Sequence, residues 1–69
     1  MNVTFFLKPC VASMKFADRV ERDRDTFTFR DRTGHIHGEF KKGDPVCSAP
    51  ENAVGAALVE GHWHWVLAL

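Results

Sequence analysis

The 69-residue chain has no excess of charge of either sign: nine basic residues stand against nine acidic ones. That balance argues against DNA binding driven by electrostatics, against attachment to anionic membranes and against mimicry of a polyanion. The two cysteines, Cys10 and Cys47, are too few for a disulfide-stapled miniprotein and do not form a C-x-x-C pair. They read as free, mostly buried thiols, with a single bridge as the alternative. No apolar run reaches the roughly 18 residues of a membrane span; Glu60, His62 and His64 interrupt the greasiest stretch. The apolar run Val3–Leu7 is too short for a signal-peptide core, and no basic residue precedes it. These absences place the expected setting in the cytoplasm, away from membranes.

Catalytic signatures are missing as well. There is no glycine-rich phosphate loop, and neither cysteine sits in an activating context. Ser13 and Ser48 occupy positions that suit helix caps. A chain this short can hardly enclose a catalytic pocket of about 300 Å³. The expectation is a protein that is not an enzyme and needs no cofactor.

What is present is enough for one small core: 45% of residues are hydrophobic and 12% aromatic. A single domain of this size is expected to hold only about 3–5 kcal/mol of net stability. Thin stability and unpaired sheet edges predict a homodimer that buries an edge or a Trp63/Trp65 face.

Alternation dominates the pattern. Residues 2–8 read as a strand, with Val3, Phe5 and Leu7 on one face and Pro9 ending it. Residues 10–23 admit either a strand or a short helix capped by Ser13. If strand, Phe16–Asp23 places Val20 opposite Phe27 and puts Asp18 awkwardly on the apolar face. Thr26–Arg30 and His35–Phe40 form a hairpin about an Asp31–Gly34 turn. Asp can bond the turn backbone there, and Gly can take the left-handed position. Setting Phe29 opposite Ile36 sorts Phe27, Phe29, Ile36 and Phe40 onto one face.

Ser48-Ala49-Pro50-Glu51 looks like a capping box. Ala53, Val54, Ala57 and Leu58 follow at helical spacing, and Gly61 can stop a helix. A helix over 49–60 is therefore expected, with a Val54–Val59 strand and a Glu60-Gly61 turn as the competing arrangement. His62–Leu69 alternates as a last strand, with Trp63, Trp65, Leu67 and Leu69 facing one way. The expected fold is α+β: a small, mainly antiparallel sheet of four to five strands with one short helix. The alternative is an all-β, SH3-like or other small barrel.

Three constellations bear on function. His35/His37 and His62/His64 form two H-x-H pairs whose members point the same way on a strand. Paired on neighbouring strands they would suit a metal, but alternating polar positions produce the same pattern, so no metal site is assigned. Asp18–Arg32 concentrates charge, and every base in it is arginine, whose planar fork suits carboxylate or phosphate. Trp63 and Trp65 are core residues or, if exposed, interface anchors. Together these make Arg19, Arg22, Arg30, Arg32, His35, His37, Trp63 and Trp65 the candidate partner-binding residues. The expected function is a non-enzymatic module that binds and modulates another protein, inhibition being one form, through its charged hairpin or a sheet edge. A small nucleic-acid-binding domain and a His-rich metal-binding domain are the alternatives.

Overall fold

The computed structural model describes residues 3–10, 12–45 and 47–68. Among the described residues, six strands form two three-stranded antiparallel sheets. β1 (Val3–Leu7), β6 (His62–Ala68) and β5 (Ala53–Val59) make one sheet, with β6 in the centre. β2 (Arg19–Asp23), β3 (Thr26–Arg30) and β4 (Ile36–Lys41) make the other, with β3 in the centre. Among the described residues a 3-10 turn, Ala12–Phe16, is the only helical element. The α+β expectation is thus wrong, and the all-β alternative lies closer.

The error sits mainly at residues 49–60. No helix forms there; Ala53–Val59 is a strand paired along its length with His62–Ala68. A seven-residue apolar run does not distinguish helix from strand by periodicity alone. The capping box is not made either, because the Ser48 hydroxyl donates to the carbonyl of Asp44. Glu60 and Gly61 both have positive φ, 51° and 81°, the signature of a two-residue hairpin turn whose twist suits antiparallel strands. Gly61 therefore serves the hairpin rather than a helix stop.

The core lies between the sheets and is built from aromatic edges against aromatic faces. Phe29 is the hub, with ring centroids 5.0 Å from Trp63, 5.5 Å from Trp65 and 5.9 Å from Phe40. Phe27 meets Trp65 at 5.1 Å. Such edge-to-face pairs add about 0.5–1.5 kcal/mol each beyond the area they bury. Alternation delivers these rings: Phe27 and Phe29 point inward from β3, and Trp63, Trp65 and Leu67 from β6. Met14, Ala17, Ala49 and Ala53 belong to the same buried cluster.

The β3–β4 hairpin keeps its expected faces but shifts its register by two residues. Phe27 lies opposite Phe40 and Phe29 opposite Gly38. An even shift preserves facing, so the core assignments of Phe27, Phe29 and Phe40 survive. Ile36 does not join them. The register slips between Phe29 and Arg30, Ile36 falls opposite Arg30, and its side chain is 45% exposed. β2 is a strand, but it starts at Arg19 and pairs Val20 with Phe29 rather than Phe27. Asp18 precedes the strand, which removes the conflict of an acid on the apolar face.

Cys10 and Cys47 are bridged and exposed, not free and buried. The bridge ties the segment after β1 to the loop between β4 and β5. The expected strand residue Asn2 and the expected core residue Leu69 lie outside the described residues, as do the side chains of Val3, Phe5 and Ser13. Among the described residues no helix is long and apolar enough to cross a membrane.

Candidate interaction surface

The two sheets differ sharply in what they show the solvent. β1, β5 and β6 contain no Asp, Glu, Lys or Arg. β2, β3 and β4 carry arginines and acids on the face turned away from the core. The charges expected to matter are gathered at one corner of that second sheet, where β2 begins and β3 turns into β4.

Asp31 organises the corner. Its Oδ1 accepts from the Thr33 hydroxyl (2.5 Å), the Thr33 N–H (2.9 Å) and the His35 N–H (3.1 Å). Its Oδ2 lies 2.8 Å from His37 Nε2. The Gly34 N–H donates to the Asp31 carbonyl at 2.9 Å, and Gly34 takes the left-handed conformation at φ 93°. These bonds draw His35 into the turn, which is why the loop is longer than the sequence suggests. They also hold the Asp31 carboxyl well below the usual carboxylate range. The Thr33 hydroxyl contributes most, followed by His37 and then the backbone N–H groups of His35 and Thr33.

The arginines brace this loop. Arg30 Nη1 donates to the Gly34 carbonyl (2.8 Å) and Arg19 Nη1 to the Asp31 carbonyl (3.0 Å). Arg19 and Arg30 lie directly opposite each other, a like-charge pairing that would repel. Glu21 resolves it by accepting from Arg30 Nε at 2.8 Å and from Arg19 Nε at 3.4 Å. Its carboxyl is lowered mainly by the Arg30 hydrogen bond. Arg32 projects furthest, with its side chain 87% exposed. Asp18 accepts from the Arg32 N–H at 2.8 Å and sits 3.6 Å from Arg32 Nε.

The remaining expected site residues scatter. Arg22 lies further along β2, its Nε donating to the Arg24 carbonyl and its guanidinium 5.7 Å from the Phe27 ring. Trp63 and Trp65 are buried, and Trp63 Nε1 donates to the Ala17 carbonyl at 3.3 Å. Both rings belong to the core, and an edge of Trp63 also lines a groove beside Met14. The two H-x-H pairs lie apart in the fold: His35, in the turn, and His37, on β4, meet edge to face at 5.0 Å in the charged corner, whereas His62 and His64 belong to β6. Among the described residues no three His, Cys, Asp or Glu side chains gather as a metal site would require.

Two exposed apolar side chains flank the corner, neither expected from sequence as a site residue: Phe16, and Ile36, which was expected in the core. Phe16, 60% exposed, ends the 3-10 turn with its ring 6.1 Å from that of His37. Ile36 neighbours His37 on β4. Phe16 sits in a segment without clear alternation, and Ile36 is displaced outward by the register slip, so neither signal was readable. No protein-family model, curated protein or solved structure matches the chain.

Proposed function

We propose that this chain is a non-enzymatic protein-interaction module that docks through the corner formed by Phe16, Arg32, His35, Ile36 and His37. The observation that supports it most is the pairing of rigid scaffold with exposed anchors. The Asp31 loop is cross-braced from β2 and β3, while Phe16 and Ile36 leave apolar surface uncovered beside a projecting arginine. Preordered loops lose little entropy on docking, and aromatic and arginine side chains are favoured anchors. The nucleic-acid alternative is less well supported, because Arg19, Arg30 and Arg32 already face Glu21 or Asp18.

The uncharged outer face of β1–β6–β5 favours self-association as a companion property, since two copies can meet there without opposing like charges. The disulfide favours an oxidising compartment over the cytoplasm that the sequence suggested.

Affinity capture from host extract tests the docking reading, using the wild-type chain and a folded Phe16→Ser/Ile36→Ser/Arg32→Glu variant. A discrete protein retained by the first and lost by the second is expected. Retention of that protein by both, or retention of nucleic acid alone with steep salt sensitivity, would overturn the reading.

A further inference from the structure

Beside the corner, a groove of about 260 Å³ opens between the 3-10 turn and the β5–β6 hairpin. Met14, Pro9 and Trp63 supply apolar lining, and Lys8, Lys15, Gly61 and His62 line it as well. It exists because β1 ends at Leu7, two residues before Pro9, while β6 already begins at His62: the last β1–β6 pair is Leu7 with Trp65, so His62–His64 extend past the strand that flanks them. The charges here differ from those of the corner. Arg19, Arg30 and Arg32 each have a carboxylate partner, whereas Lys8 and Lys15 form no ion pair among the described residues. Lys15 instead leans over the Phe16 ring at 5.1 Å, which joins the groove to the corner. Glu60, next to Gly61 in the chain, is not among the lining residues.

We propose that this groove is a docking subsite for an acidic–apolar segment of a partner protein. One large apolar side chain would rest on Met14, Pro9 and Trp63, and the carboxylate of a neighbouring acidic residue would lie between Lys8 and Lys15. The volume suits a single side chain and its neighbour, being below the usual range of about 300–1,000 Å³ for small-molecule pockets. Two lysines without an ion pair among the described residues, beside apolar lining, select against basic and purely apolar segments. The inference rests on the reading that the chain docks onto a protein, and it adds the chemistry of what is recognised.

The test is a titration of the 15N-labelled full chain with acetylated, amidated Gly-Gly-Glu-Leu-Gly-Gly, followed by NMR. Saturable shifts are expected at the amides of Lys8, Lys15 and His62 and at the Trp63 indole. Replacing Glu by Gln in the peptide should weaken binding about fivefold, as should Lys8→Gln/Lys15→Gln in the protein, the scale of an exposed ion pair. Replacing Leu by Ala should remove saturation. Equal shifts with the Glu and Gln peptides, or shifts centred elsewhere, would overturn the proposal. The Phe16→Ser/Ile36→Ser/Arg32→Glu variant separates the two claims. Corner-dependent capture without peptide binding refutes the groove alone. Peptide binding without corner-dependent capture upholds the groove and refutes the corner.

Discussion

His37 Nε2 lies 2.8 Å from Asp31 Oδ2, which links the second residue of β4 to the first residue of the loop that precedes it. With the Thr33 and His35 bonds to Oδ1, this makes one carboxylate the keystone of the corner. Asp31 and Glu21 both have carboxyls lowered in the folded state. Their stabilising contribution is complete above the unfolded carboxylate range and drains away as pH falls through the folded values, from about pH 5 downward. Melting temperature measured against pH should therefore fall on acidification in the wild type. Asp31→Asn should melt lower at neutral pH and show a shallower acid decline. An Asp31→Asn profile parallel to wild type down to strong acid would show that the carboxylate does not hold the loop.

Phe29 touches three aromatic rings and is fully buried. Phe29→Ala should cost about 3–5 kcal/mol, comparable to the whole stability expected of so small a domain. Loss of the dispersed amide NMR spectrum is the expected readout. A variant melting within a few degrees of the parent would place the ring outside the core.

Gly38 is needed for space rather than for backbone freedom. A Cβ there would lie 2.5 Å from Met14 Sδ and 3.0 Å from Phe40 Cε2. Gly38→Ala should cost about 1–3 kcal/mol by overpacking, read from chemical denaturation. An unchanged midpoint would mean that the 3-10 turn does not seat on β4 as described.

The Cys10–Cys47 bridge closes a loop spanning 37 positions. Chain-entropy arguments give it about 3–4 kcal/mol, so Cys10→Ser/Cys47→Ser should be close to unfolded at 37 °C. Intact mass after alkylation reports the bridge directly: no label without reductant, two labels with it.

Much of this was legible in the sequence. Alternating side chains identified β3, β4 and β6 and placed Phe27, Phe29, Phe40, Trp63, Trp65 and Leu67 correctly inside. The Asp31–Gly34 turn was readable from the residues that make such turns. What failed depends on tertiary choice. The Ala53–Val59 segment satisfies a helical stripe and a strand equally well, and pairing with β6 decides it. The slip between Phe29 and Arg30 that expels Ile36 comes from how much chain the Asp31 carboxylate gathers into the turn. The disulfide stood only as the alternative to free thiols, because nothing in the sequence brings positions 37 residues apart together. Of the candidate site, Arg19, Arg30, Arg32 and the His35/His37 pair do meet at one corner, and Arg22 does not. The acids that position them and the apolar anchors beside them emerge only from the fold.

Self-association should follow from the uncharged sheet. Light scattering at tens of micromolar should give the dimer mass. Val66→Lys should return the monomer, because Val66 lies between Phe6 and Gly55 in the middle of that sheet. A wild-type monomer under these conditions would reject a self-associating face.

The docking corner is tested most directly by photocrosslinking in host extract, with a photoreactive residue in place of Arg32 in one protein and of Ala57, on the uncharged sheet, in another. The corner position is predicted to yield an adduct with a foreign protein, and the sheet position only adducts between copies of this chain. A foreign protein captured from position 57 and none from position 32 would contradict the account.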